Sequence, residues 1–233
     1  MSNNNDYQFF LFLDTKKISF DVLDLENRSS FSKEIEINSV STQNSMKLLE
    51  DFLDNNIFNI EKKINDYVKE INLIIDNNSF LSVNLSVKYN FKGLKFKINQ
   101  INGSLIDLKN QFKKTIGNYE IIHILISKFI IDDEEYPSLP EGTNYNDLAL
   151  EIRFICLKNN LILDLKKILS KYQISLNKIL CYEYLNEFQR SDSENIFNIA
   201  HNVLKGTNPN EIFLVTKSTK KVGFFEKFFN FFN

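Results

Sequence analysis

The stretch "FFLFLDTKKISFDVLDL", residues 9–25, places two apolar runs on either side of the short polar break Asp14-Thr15-Lys16-Lys17. Runs rich in Phe, Ile, Val and Leu that are bounded by brief polar turns read as strands, here over residues 9–13 and 18–25. A third run, "SKEIEI" at 32–37, follows after another polar turn. Together the three predict a small antiparallel meander at the start of the fold.

Working outward, Ile57, Ile60, Ile64, Tyr67, Val68, Ile71 and Ile74 recur at helical spacing, and the spacing predicts a helix closed by Asn77-Asn78. The period then changes to two. In "FLSVNLSV" Leu81, Val83, Leu85 and Val87 alternate with small polar residues, and "LKFKI" repeats this with Leu94, Phe96 and Ile98, so two half-buried strands are expected. Ser104 and Asp107 have capping-box spacing, and Leu105, Leu108, Phe112 and Ile116 give the helix they open an apolar face that Gly117 would end. Strands are expected again at "YEIIHILI" and "KFIID". After the polar loop "DDEEYPSLPEGTNYN" another is expected at "LALEIRFICL". A helix over 161–172 and a strand over 175–181 come next. Beyond Tyr182 the elements shorten: Ser191 to Glu194 has capping-box spacing before a helix that Gly206 can end, and "EIFLV" is one brief strand. There is no repeat of fixed period and there are no heptads.

Composition narrows the function classes. At 233 residues and 43% hydrophobic the chain can build a sizeable core, and its formal net charge of −2 gives no basic field that would draw nucleic acid. Cys156 and Cys181 sit singly in apolar runs without CxxC spacing, which predicts buried, reduced thiols in a cytoplasmic body. The chain has only six glycines, and no two are near neighbours. A loop that cradles phosphate needs glycine where backbone approaches the anion, so nucleotide hydrolysis is not expected. His123, among isoleucines, and His201, inside a helix, lack a Ser, Cys or Asp partner at a recognisable spacing and read as packed or surface histidines. Asp132-Asp133-Glu134-Glu135 lacks the alternating ligands and central glycine of a calcium loop and reads as a solvated turn. The expectation is no enzyme, no cofactor and no metal.

The chain ends "KKVGFFEKFFNFFN". At about 100° per residue, Phe224, Phe225, Phe228, Phe229, Phe231 and Phe232 fall within an arc of about 160°, opposite Glu226, Lys227, Asn230 and Asn233. Over roughly 13 Å such a helix is too short to cross a hydrocarbon core of ~30 Å, but it could lie in the interface. Lys217, Lys220, Lys221 and Lys227 flank the apolar face, as in an interfacial anchor. Docking of the same helix on the domain's own core is the alternative.

The middle of the chain resembles the bacterial actin-like cell-division protein FtsA. The resemblance is carried by Ile121-Ile122-His123-Ile124-Leu125, Phe129-Ile130-Ile131-Asp132, Pro140-Glu141-Gly142, Leu150-Glu151-Ile152-Arg153-Phe154-Ile155-Cys156 and "LDLKKILSKYQISLNKIL" at 163–180. It covers roughly residues 57–188. The opening hairpin is similar to that family's first hairpin, with Asp14 and Thr15 at the phosphate turn, and the Phe-rich end is similar to its membrane-targeting helix. The turn lacks the family's glycine and is shortened, no second phosphate or adenosine loop is present, and too few residues follow Tyr182 to build the second half of an actin-like molecule.

The resemblance implies an α+β chain with a partial actin-like (ribonuclease H-like) domain, an inserted strand-helix-strand-strand subdomain and a C-terminal amphipathic helix. The segments expected are 1–56, the first part of the actin-like domain; 57–157, the inserted subdomain; 158–216, the return to the actin-like core; and 217–233, a Lys-rich linker and membrane-targeting helix. The function implied is a non-catalytic peripheral adaptor on the cytoplasmic face of the bacterial inner membrane at the division site. Its partners would be the lipid surface, division proteins such as FtsZ or later ones, and a second copy. A pilus-assembly adaptor of the actin-like type and a degenerate ATPase are the alternatives.

Overall fold

The computed structural model describes residues 7–24, 26–37, 42–90, 98–140, 146–191 and 193–212. The chain forms two compact units, the first from Met1–Phe80 and Lys158–Thr207, the second from Leu81–Leu157 and Asn208–Asn233. Residues 57–80, which the resemblance assigns to the inserted segment, fall in unit 1.

Unit 1 is built on a sheet of order β3-β2-β1-β4-β9. The opening meander is β1 (Gln8–Asp14), β2 (Lys17–Leu23) and β3 (Ser29–Glu36), paired antiparallel in sequence. β4 (Glu70–Asp76) and β9 (Ser175–Cys181) extend it as parallel neighbours, β4 beside β1 and β9 beside β4. Parallel strands need crossover connections, and these are made through α1 (Thr42–Ile64) and, after the whole of Leu81–Leu157, through α3 (Asn159–Lys171).

Helices lie on both faces of this sheet. Phe9 and Phe31 flank Val22 across the strands, and Lys63 of α1 sits 5.0 Å from the Phe31 ring, so α1 covers that face. α3 joins it there: Tyr172 Oη donates to Asp54 Oδ1 at 2.7 Å, and Lys171 pairs with Glu50. On the opposite face Phe10 meets Phe197 of α5 (Ile196–Leu204) at 6.2 Å, and Phe12 meets Tyr182 of α4 (Tyr182–Asn186) at 5.3 Å. Cover on both sides explains why Phe9 to Phe12 and Ile71 to Ile75 are buried without alternation.

Unit 2 is a sheet of order β5-β8-β6-β7. Its elements run β5 (Phe80–Asn90), α2 (Ile98–Thr115), β6 (Tyr119–Ile131), β7 (Glu134–Tyr136) and β8 (Asp147–Lys158). Leu81, Val83, Leu85 and Val87 of β5 turn toward a core made by Leu105 and Phe112 of α2, Ile124 and Ile126 of β6, and Leu148, Leu150, Ile152 and Phe154 of β8. Phe112 stacks on Phe154 at 4.5 Å and 26°.

Several elements differ from the sequence reading. The helix predicted through Ile71 and Ile74 stops at Ile64, where Asn65 takes a left-handed φ of 55°, and residues 71–75 belong to the interior strand β4. Ile98, expected in a strand, opens α2, so the Ser104 and Asp107 pair lies inside that helix instead of capping it. The rest of "LKFKI", residues 94–97, lies outside the described residues. The two strands expected at 119–132 are one continuous β6. The acidic turn is a two-residue hairpin loop with Asp132 at φ 48° and Asp133 at φ 70°, followed by β7. This is the left-handed pair that a tight hairpin demands and that aspartate tolerates. α5 is capped by Asn195, whose side chain accepts from Phe197 N–H at 2.9 Å, and not by Ser191. Of "EIFLV", Glu211 forms an isolated bridge with Leu125, and 213–215 lie outside the described residues.

Candidate functional site

In sheets with parallel strands, ligands gather at the carboxyl ends of those strands. In unit 1 that edge carries Asp14 at the end of β1, Asp76 at the end of β4 and Glu183 just past β9. Asp14 and Asp76 are register partners across the parallel pair. Burial first, and then the charges of Asp14 and Glu183, hold the Asp76 carboxyl above the ordinary aspartate range. Such a group keeps its proton to higher pH than a free carboxylate. Among the described residues no cluster of three or more histidines, cysteines or carboxylates is placed to hold a metal ion.

The adjoining turn, which the resemblance makes the phosphate turn, is only Thr15-Lys16 between β1 and β2. Asp14 Oδ1 accepts from both the Thr15 N–H and, at 3.0 Å, the Thr15 hydroxyl. Lys16 C=O accepts from Ile37 N–H at 2.6 Å. Lys17, the cation beside the turn, donates to Glu34 Oε2 at 3.0 Å. Of the donors at this turn, the Thr15 N–H, the Thr15 hydroxyl and the Lys17 ammonium are thus engaged with carboxylates of the protein itself.

A second polar cluster lies inside unit 2. His123 Nδ1 is 2.7 Å from Glu211 Oε1, with the two side chains 2% and 3% exposed. The pair is separated by 88 positions, which is why no local motif announced it. His201 contacts Gln8 Oε1 through Nδ1 at 2.7 Å, and burial, then Lys205, lowers its pKa below the usual histidine range. Both histidines are packed, as the sequence suggests, and each has a specific partner. Cys156 and Cys181 are buried free thiols, and burial pushes the Cys156 thiol up to about 12, far from a nucleophile's range.

The residues expected at a membrane, Lys220, Lys221, Phe224, Phe225, Lys227, Phe228, Phe229, Phe231 and Phe232, lie outside the described residues. Among the described residues no helix is long and apolar enough to cross a membrane. Asp76 escapes the sequence reading because residues 71–75 also satisfy a helical spacing, and Glu183 because nothing in the sequence pairs β9 with β4. The signal available is the short run "INLII", apolar but for Asn72, between polar residues, the mark of a strand buried on both faces.

No family model and no curated protein matches the chain. Solved structures similar to it include the PilM-PilN type IV pilus biogenesis complex, at 6% identity and TM-score 0.46, covering 78% of this chain and 49% of that one. They also include a protein of Bacteroides thetaiotaomicron with an actin-like ATPase fold and unknown function, at 16% identity and TM-score 0.31, covering 80% of this chain and 57% of that one. The chain thus spans about half the length of the structures it matches. Both TM-scores are under 0.5, so the description of the fold rests on the strand order given above.

Proposed function

We propose that the chain is a non-catalytic, actin-like adaptor of bacterial cell division, similar to FtsA, that tethers division proteins to the inner face of the membrane through residues 224–232. The observation that carries the actin-like part is the strand order of unit 1. A three-stranded antiparallel meander continues into two parallel strands, helices cover both faces, and a second unit is inserted into the crossover between β4 and β9. That inserted unit reads strand, helix, strand and then a further strand, with the three-residue β7 in between, in the order expected of the subdomain that the resemblance describes. The engagement of the Thr15 donors and of the Lys17 ammonium with carboxylates of the protein supports a role in binding over one in nucleotide turnover.

The anchor is supported by sequence chemistry. Half-burying six phenylalanine rings is worth roughly 5–9 kcal/mol, against an ordering cost of about 1 kcal/mol for each helix residue, so a single copy binds lipid reversibly and clustered copies bind firmly. Co-sedimentation with anionic vesicles tests it. The full chain should pellet, and Phe225→Glu with Phe228→Glu should leave it in the supernatant; equal pelleting of both removes the anchor. Capture on immobilised FtsZ tail peptide or on later division proteins, set beside pilus-assembly proteins, separates the division role from the pilus role. Micromolar binding in a titration with labelled ATP would favour the degenerate ATPase instead.

A further inference from the structure

Residues 208–212 are fastened to β6 and to the segment after β7 by backbone and side-chain contacts. Glu211 bridges antiparallel to Leu125 of β6; Ile126 N–H donates to Asn210 C=O at 2.9 Å and Ile212 N–H to Ile124 C=O at 2.8 Å. Asn210 Nδ2 donates to Pro137 C=O at 2.8 Å. The Ile212 side chain joins the apolar core of the unit. At the centre of this short pairing stands the buried contact of His123 with Glu211, on the strand and on the added segment respectively.

A pairing of this length frays unless something besides its backbone hydrogen bonds holds it. The histidine and carboxylate supply that hold, because their direct contact at 2.7 Å, shut away from water, ties the strand to the added segment through side chains as well as backbone. We infer that residues 208–212 form a clasp on β6, locked by His123 and Glu211, which holds on unit 2 the residues that precede the Lys- and Phe-rich segment 217–233 in the sequence. On the reading of that segment as a lipid anchor, on which this inference rests, a pull exerted through the anchor is delivered to β6 of unit 2 rather than to α5.

Amide hydrogen exchange of the full chain, without lipid, tests the clasp. Glu211→Ala and His123→Ala should each speed exchange in peptides covering 122–127 and 208–212 by about tenfold or more, while peptides covering β1 and β4 keep their rates. The double variant should be no faster than either single one, because the two residues act as one lock. Glu211→Gln, which keeps a hydrogen-bonding side chain, should lie between wild type and Glu211→Ala. Additive effects, unchanged rates, or acceleration spread equally over β5 and β8 would each overturn the clasp, the last because the pair would then support the whole unit. In a second arm, with vesicles of phosphatidylglycerol and phosphatidylethanolamine, lipid should slow exchange at 122–127 in wild type but not in Glu211→Ala; equal slowing in both would refute transmission through the clasp. Failure of the unaltered chain to pellet with those vesicles would refute the anchor alone and leave the lipid-free result standing.

Discussion

Asn72 sits in β4, the interior strand next to the edge strand β9 of the unit 1 sheet, 5% exposed, and its Oδ1 accepts from Asn177 Nδ2 at 3.0 Å. Asn177 is the extra residue where the β4 and β9 register shifts, Ile71 facing Leu176 and Asn72 facing Lys178. The pair therefore staples a bulge in an edge strand, and a bulge there hinders further strands from adding to the edge. Asn177→Ala removes the donor and leaves a buried acceptor unpaired, which costs about 1–3 kcal/mol. With a urea dependence of about 1–3 kcal/mol per molar, the midpoint should fall by about 1 M. Asn72→Val acts differently: it deletes the buried polar atom itself, and the Asn177 amide stays at an exposed position where water satisfies it. That variant should remain within about 0.5 kcal/mol of wild type, and adding Asn177→Ala to it should cost almost nothing. The assay is urea unfolding followed by pulse exchange of β1 and β4 amides, so that unit 1 is read separately. An Asn177→Ala effect below about 0.3 kcal/mol, or an Asn72→Val cost larger than that of Asn177→Ala, would refute the reasoning.

Two further outcomes are expected. Because the Asp76 carboxyl is held above the ordinary value of 3.8 by burial and by Asp14 and Glu183, the folded state binds its proton more tightly than the unfolded state does. Its charge therefore opposes folding above the raised value, and wild type regains stability as pH falls from there toward 3.8; Asp76→Asn should raise the melting temperature at pH 7, with the gain disappearing below about pH 3.8. In unit 2, Phe154→Ala should cost ~3–5 kcal/mol, of which the lost stacking on Phe112 is about 1, whereas Phe154→Leu should cost under about 1.5; both are measured by the protection of β6 and β8 amides.

The opening meander, β5, β8, α3 and β9 were legible in the sequence because each carries its own period. In β5 the alternation of Leu81, Val83, Leu85 and Val87 with polar residues needs one buried face and nothing distant. β4 was not legible, since "INLII" satisfies a helical spacing with Ile64 and Val68 as well as it satisfies a strand, and only its place between β1 and β9 decides. β6 reads as two strands in the sequence because Ser127-Lys128 interrupts its apolar run, although both halves belong to one strand. At the candidate site, Asp14 and Thr15 stand where the turn was expected, but Asp76 and Glu183 could not be brought to them without the parallel pairing. The His123 and Glu211 contact is a meeting of residues that no spacing rule joins.

The insertion sets a physical demand on the residues around it. Between β4 and α3 the chain leaves unit 1 at Phe80 and returns at Lys158. Closing a flexible loop of that length costs about 4 kcal/mol from the logarithmic term alone. Local propensity cannot offset this, because β9 is an edge strand with one partner. The contacts that receive the returning chain are therefore informative: Ser175 N–H and Oγ both donate to Lys69 C=O, at 2.9 and 3.0 Å. Tyr172 Oη donates to Asp54, Lys171 pairs with Glu50, and Asn177 donates to Asn72. All fall within residues 171–177, from the end of α3 into β9, and join them to segments that precede the insertion. Their concentration there, at the point where the excursion has just ended, fixes the β9 register against slippage and lets unit 2 vary in sequence without loosening the sheet it interrupts.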